Sequence, residues 1–147
     1  MRAFLPLSVI GLLLAGCATT GEQPAAAVAA EAAPRVETVT PEQLHAMLEA
    51  GSVVLIDVRT PYEYADGRIA GALNAPLTHF DPAAIPMEQG RETILYCGSS
   101  HRSGIAATAL AEYTGGTVRH MAGGIKAWIA AGLPTVKNDP SDDPRNK

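Results

Sequence analysis

Along this chain, short runs of consecutive apolar residues alternate with stretches in which apolar residues recur every third or fourth position. Val53, Val54, Leu55, Ile56, Asp57 and Val58 form a nearly continuous, β-branched run of strand length, the pattern of a strand covered on both faces. Thr93, Ile94, Leu95 and Tyr96 repeat it, and residues 117–121 predict another short strand. Helical spacing marks Leu44, Met47 and Leu48. They follow Thr40-Pro41-Glu42-Gln43, which supplies a capping hydroxyl, a proline for the first helical position and a glutamine that reaches back. Thr60-Pro61-Tyr62-Glu63 repeats that signal straight after the first strand and predicts a short helix stopping by Gly67. Residues 103–113 predict a longer helix with Ile105, Ala106, Ala109 and Leu110 on one side, ended by Gly115-Gly116. Residues 123–131 predict a last helix, stopped by Gly132 and Pro134, while residues 69–74 read as a short extended piece and Asp81-Pro82 as a turn. Strands alternating with helices imply an α/β domain: a small, mostly parallel sheet flanked by helices. Chemistry in such sheets sits beyond the carboxyl ends of the strands.

The two ends of the chain read differently. Arg2 followed by an apolar stretch over residues 3–16, shorter than the ~20 residues of a membrane-spanning helix, has the form of a signal peptide. Leu14-Ala15-Gly16-Cys17 resembles the lipobox of bacterial lipoproteins, which implies cleavage before Cys17 and lipidation of that cysteine. Each buried acyl methylene then adds ~0.8 kcal/mol of membrane affinity. Ala18 after the cysteine implies, in a Gram-negative host, the outer membrane with the domain in the periplasm. Residues 17–35 are then the lipidated cysteine and an alanine- and proline-rich tether unable to bury a face. Residues 137–147 contain no apolar side chain and read as a disordered tail, leaving residues 36–136 as the domain.

Charge narrows the function. The chain carries 11 Lys and Arg against 15 Asp and Glu, so no cationic surface is left over for phosphate contacts and nucleic-acid binding is not expected. Cys97 with His101 supplies two possible ligands, His45, His79 and His120 are scattered, and structural zinc takes about four, so no metal site is expected.

Cys97 stands out. It closes the strand ending at Tyr96 and is followed by Gly98-Ser99-Ser100-His101-Arg102-Ser103-Gly104 at the start of a helix. Unpaired amides at a helix start and the helix dipole favour a thiolate there, and Arg102 and His101 add to the effect, which predicts a thiol pKa below the free value of ~8.5. A cysteine at the end of a buried strand can equally be core packing. The glycine, serines, histidine and arginine after it make a poor core and a good anion cradle, which favours catalysis.

The stretch 36–136 resembles a single rhodanese domain. The likeness lies in Asp57-Val58-Arg59, Glu63-Tyr64, Gly67-Arg68-Ile69-Ala70-Gly71-Ala72 with Asn74, the loop from Cys97 to Arg102, and Gly123-Gly124-Ile125-Lys126-Ala127-Trp128. The resemblance implies a rhodanese-like fold and a sulfurtransferase without metal or organic cofactor. Cys97 would carry a persulfide between a small sulfur donor such as thiosulfate and a thiol or cyanide acceptor. It further implies that Gly98, Ser99, Ser100, His101 and Arg102 line the anion-holding loop, with Arg102 on the donor's sulfonate. Asp57 and Arg59 would support the site from nearby, and Trp128 and Gly123-Gly124 would pack and turn. Two positions depart from the family pattern: Arg68 stands where a histidine is usual, and Ser100 where glycine is frequent.

Two other function classes bear on the same residues. A cysteine phosphatase or arsenate reductase uses a similar thiolate, but the tyrosine-phosphatase pattern places its arginine one residue later than Arg102. A non-catalytic, membrane-tethered binding module is the other, and the presence of Cys97 argues against it.

Overall fold

The structure is a computed structural model and describes residues 33–138. The signal peptide, Cys17 and the tether up to residue 32 lie outside the described residues, as do residues 139–147. The elements are β1 (Arg35–Val39), α1 (Pro41–Glu49), β2 (Val53–Asp57), α2 (Pro61–Asp66), β3 (Leu73–Asn74), β4 (Glu92–Tyr96), α3 (His101–Thr114), β5 (Thr117–Met121) and α4 (Gly124–Ala130). Two single 3₁₀ turns, Leu77–His79 and Pro82–Ala84, link β3 to β4. Five parallel strands form one sheet in the order β1-β5-β4-β2-β3. Among the described residues no helix is long and apolar enough to cross a membrane.

Both cap signals fold as expected. Gln43 donates its amide to Thr40 Oγ1 at 3.2 Å while its side-chain oxygen accepts from Thr40 N at 2.9 Å. Thr60 and Glu63 repeat the arrangement at 3.3 and 3.1 Å.

The alternation of side chains along each strand sorts the core into two layers. Val53 and Leu55 of β2 and Ile94 and Tyr96 of β4 face α1 and α4 with Leu44, Ile125 and Trp128. Val54, Ile56, Leu95 and Cys97 face α3 with Ala106, Ala107 and Leu110. Cys97 therefore lies on the α3 side of the sheet, just past the carboxyl end of its central strand.

Three features differ from the sequence expectation. Strand β1 has no apolar run to announce it, because it is an edge strand whose first four residues are exposed. It begins one residue before the expected domain boundary, with Arg35 paired to Thr117. Helix α3 starts at His101 and buries Ser103, Ala106, Ala107, Leu110 and Ala111, leaving Ile105 about half exposed. The helix is turned so that a polar residue, Ser103, heads its inner stripe in place of Ile105. Finally, Lys137 and Asn138, assigned to the tail by composition, lie against α2: Lys137 Nζ is 3.3 Å from Asp66 Oδ1, and Asn138 donates its amide to Ala65 O at 3.3 Å.

Candidate active site

Strand β4 delivers Cys97 into a loop closed by the first turn of α3. The residue is 1% exposed and carries a free thiol. Burial pushes that thiol's pKa up, but the Ser103 hydroxyl and the amides of Ser103, Ser99 and Ser100 donate to the sulfur and bring it below its ordinary value. The sequence places the cysteine at a helix start; the structure adds a side-chain hydroxyl, that of Ser103, to the amides that lower its pKa.

The loop is held from behind by α4. Ile125 donates its amide to Cys97 O at 2.8 Å and Lys126 to Gly98 O at 3.3 Å. This approach requires Gly124, at φ +59°, since a Cβ there would fall 2.4 Å from Cys97 O and 2.6 Å from Gly98 C and Ser99 N. Gly124 is thus part of the cradle wall.

Ser100 adopts φ +83°, the single non-glycine residue with positive φ among the described residues. The left-handed conformation expected of a glycine is kept, and the serine does something glycine cannot. Its Oγ accepts from Gly123 N at 2.5 Å and donates to Met121 O at 3.4 Å, tying the loop to the turn before α4.

Arg102 reaches out of the loop to Glu63 on α2, donating from its two terminal nitrogens at 2.8 and 2.7 Å. Those hydrogen bonds hold the Glu63 carboxyl down to about 2, against the opposing effect of burial. Glu63 was visible in the sequence as a helix cap; its pairing with Arg102, 39 residues away, was not.

Asp57 and Arg59 meet behind the site. Arg59 Nη2 lies 2.6 Å from Asp57 Oδ2, both side chains are buried, and the same guanidinium donates to Gly67 O at 2.7 Å. Asn74 donates to the carbonyls of both residues at 3.0 and 2.9 Å. Together they fix the β2–α2 connection, and with it the start of the helix that carries Glu63. Arg68 finds its partners away from the loop: its guanidinium lies 4.7 Å from the centre of the Tyr64 ring and donates to Asn138 Oδ1 at 2.6 Å. Trp128 is buried, donating its indole N–H to Pro134 O at 2.9 Å.

Of the loop residues singled out from sequence, Ser99 and Ser100 bring their amides to the sulfur, Arg102 turns to Glu63, and the side chains of Ser99 and His101 are exposed. Ser103, Gly124, Glu63 and, behind Ser103, His120 belong to the same surroundings; the sequence marks Gly124 and Glu63 only as turn and cap residues and gives Ser103 and His120 no place at the site. A hollow of about 380 Å³ lies away from the cysteine, at the amino-terminal ends of β2 and β4 between His45, Val53, Arg91 and Trp128. Among the described residues no group of three or more His, Cys, Asp and Glu side chains comes together as metal ligands.

Residues 40–131 match the model of the rhodanese-like domain. The chain belongs to that family. It is 40% identical over 100 residues to an uncharacterized protein of Synechocystis, a match covering 68% of this chain and 56% of that protein, so the chain spans little more than half of that relative. A sulfurtransferase of Allochromatium vinosum is 37% identical over 91 residues, covering 61% of this chain and 84% of the relative. Among solved structures, a thiosulfate sulfurtransferase from Pseudomonas aeruginosa superposes with a TM-score of 0.62 at 29% identity, covering 73% of this chain and 20% of that one.

Proposed function

We propose that this protein is a sulfurtransferase that carries sulfane sulfur on Cys97. The observation that supports it most is the set of donors around the sulfur: the hydroxyl and amide of Ser103 and the amides of Ser99 and Ser100. Such a cradle favours a thiolate and, on the same groups, an incoming sulfur anion. The Cys97 thiolate attacks the outer sulfur of thiosulfate, the sulfur–sulfur bond of the donor breaks, and sulfite departs with the bonding pair. The new bond is a Cys97 persulfide. A thiolate or cyanide then attacks the outer sulfur, and Cys97 leaves as thiolate, ready for another donor. Arg102, outside the cradle and paired with Glu63, stands where a sulfonate would meet its first positive charge. The family resemblance and the relatives named as sulfurtransferases support the same reading.

Intact-mass analysis of the full chain after incubation with thiosulfate tests it. A gain of one sulfur atom, absent in Cys97→Ser and discharged by cyanide, is the expected result. A reduced, folded and unmodified Cys97 would overturn the reading and turn attention to phosphate esters or to a binding role.

The lipobox-like Leu14-Ala15-Gly16-Cys17 supports a second element of the proposal, a lipid anchor that holds this domain at an envelope membrane, at the outer membrane facing the periplasm in a Gram-negative host. Incorporation of a clickable palmitate analogue into the full chain, lost in Cys17→Ser, is the expected outcome; equal labelling of both chains would remove it.

A further inference from the structure

His120 lies on β5, in register with Leu95 of β4, two residues before the nucleophile. Its side chain is 8% exposed, on the α3 side of the sheet, and its Nδ1 is 3.0 Å from Ser103 Oγ. The ring lies against Gly104, where a Cβ would stand in ordinary contact, 3.5 Å from His120 Cε1. Ser103 itself is completely buried. Its Oγ donates to Ser100 O at 3.0 Å and lies 3.0 Å from His120 Nδ1, and the same hydroxyl lowers the pKa of the Cys97 thiol.

A hydroxyl has one hydrogen to give and two lone pairs to fill. Ser100 O and a thiolate only accept. If His120 Nδ1 accepted as well, three acceptors would compete for one hydrogen, and the one on Nδ1 would draw it away from the sulfur. If Nδ1 carries the proton, it fills a lone pair of Oγ and leaves the hydroxyl hydrogen to the carbonyl or the sulfur. Ser100 O can release it, because it also accepts from Gly104 N at 2.9 Å. The hydroxyl is then free to swing to the sulfur whenever the sulfur is charged, and back when it is not.

We propose that His120 is a positioning residue for Cys97: by donating from Nδ1 to Ser103 Oγ, it aims the Ser103 hydroxyl at the sulfur and so holds the thiolate ready. This deepens the sulfurtransfer reading and rests on it for the role of Cys97, but it concerns the state of the thiol before any donor arrives. A protonated imidazole keeps Nδ1 as a donor, so the device works in either charge state of the ring. It also accounts for the turn of α3 that buries Ser103 in place of Ile105.

The test has two arms on the full chain, neither using sulfur transfer. In the unsubstituted protein, long-range ¹H–¹⁵N correlation spectra above neutral pH should show His120 with its hydrogen on Nδ1; a hydrogen on Nε2 would overturn the proposal. In the second arm, iodoacetamide alkylation of Cys97 is followed against pH. His120→Leu should raise the apparent thiol pKa and slow alkylation at pH 7 about three- to tenfold. His120→Asn, which keeps an N–H donor near the same place, should restore most of it, and Ser103→Ala should resemble His120→Leu. The charged groups near the loop, Arg102 with Glu63, His101, Lys126 and the Asp57–Arg59 pair, are the same in all variants. Folded His120→Leu protein with an unchanged titration would overturn the proposal, and the tautomer decides it should that variant fail to fold. A wild-type chain that passes both arms but takes up no sulfur from thiosulfate would refute the sulfurtransfer reading alone.

Discussion

Arg102 and Glu63 face each other with two hydrogen bonds of 2.8 and 2.7 Å, so the one arginine of the cysteine loop is already occupied by a carboxylate from another helix. Both side chains are about one-third exposed, which limits the stability of the pair to about 1 kcal/mol or less. Its consequence is electrical: under the proposed sulfur transfer, an anionic donor would have to share Arg102 with Glu63. Glu63→Gln retains the capping geometry with Thr60 and removes the competing charge. Thiosulfate KM is expected to fall severalfold in that variant, with the urea midpoint nearly unchanged, whereas Arg102→Ala should raise KM. Steady-state kinetics and urea titration of the three proteins check this.

Ser100 offers a comparison between backbone strain and a side-chain bond. Ser100→Ala keeps the positive φ and leaves Gly123 N without its acceptor, and is expected to cost about 1–3 kcal/mol. Ser100→Gly loses the same bond but relieves the backbone by about 1 kcal/mol. The glycine variant should therefore be the more stable of the two, as measured by urea unfolding.

Gly124→Ala is expected to be severe. The added methyl would enter the backbone of Cys97 and Gly98 at 2.4–2.6 Å, and both sides of the clash are main chain with little freedom to move. A loss of about 2 kcal/mol or more is expected, together with slowed alkylation of Cys97, since the cradle has to shift to make room. Alanine at Gly116, where the neighbouring atom is 3.7 Å away, is the control.

Asp57→Asn leaves the buried Arg59 guanidinium without its counter-charge. Breaking such a pair costs about 3–5 kcal/mol, and the loss should appear in thermal unfolding before any assay of the thiol is attempted.

Acid should act on the fold in two separate windows. The His120 imidazole is held below its ordinary pKa of 6.5 by burial, so it resists protonation in the fold more than in the unfolded chain. The stability this adds is complete above about pH 6.5 and declines as pH falls, by at most about 1.4 kcal/mol per unit. Glu63, held at about 2 against 4.5, adds stability that is complete above about pH 4.5 and is lost only as pH falls toward 2. Urea unfolding at pH 7.5 and 5.5 should therefore show a decline that His120→Asn lessens and Glu63→Gln does not.

The parts of this site legible in the sequence are those written locally. The buried run into Cys97, the polar loop and the two threonine caps each occupy a few adjacent residues, and each folds where its pattern indicates. Strand β1 escaped because an exposed edge strand needs no apolar run. The Arg102–Glu63 pair, the Ser103–His120 contact and the approach of Gly124 to Cys97 escaped for another reason. Each joins elements whose alignment is set by sheet register and helix rotation, and no spacing rule spans them. Arg68 shows the converse: its departure from the family pattern was visible, but its stacking on Tyr64 and its bond to Asn138 depend on how the end of the chain folds back.

The loop around Cys97 is walled largely by peptide groups: amides of residues 99, 100 and 103 on the sulfur side, and those of residues 125 and 126 behind. Peptide groups are the same whatever side chain they carry. Ser99 and His101 stand exposed at the rim, so either can change without removing a donor from the sulfur. The groups that hold the sulfur are thus kept apart from the side chains at the loop's open edge, and those two positions can be rewritten while the cradle stays as it is.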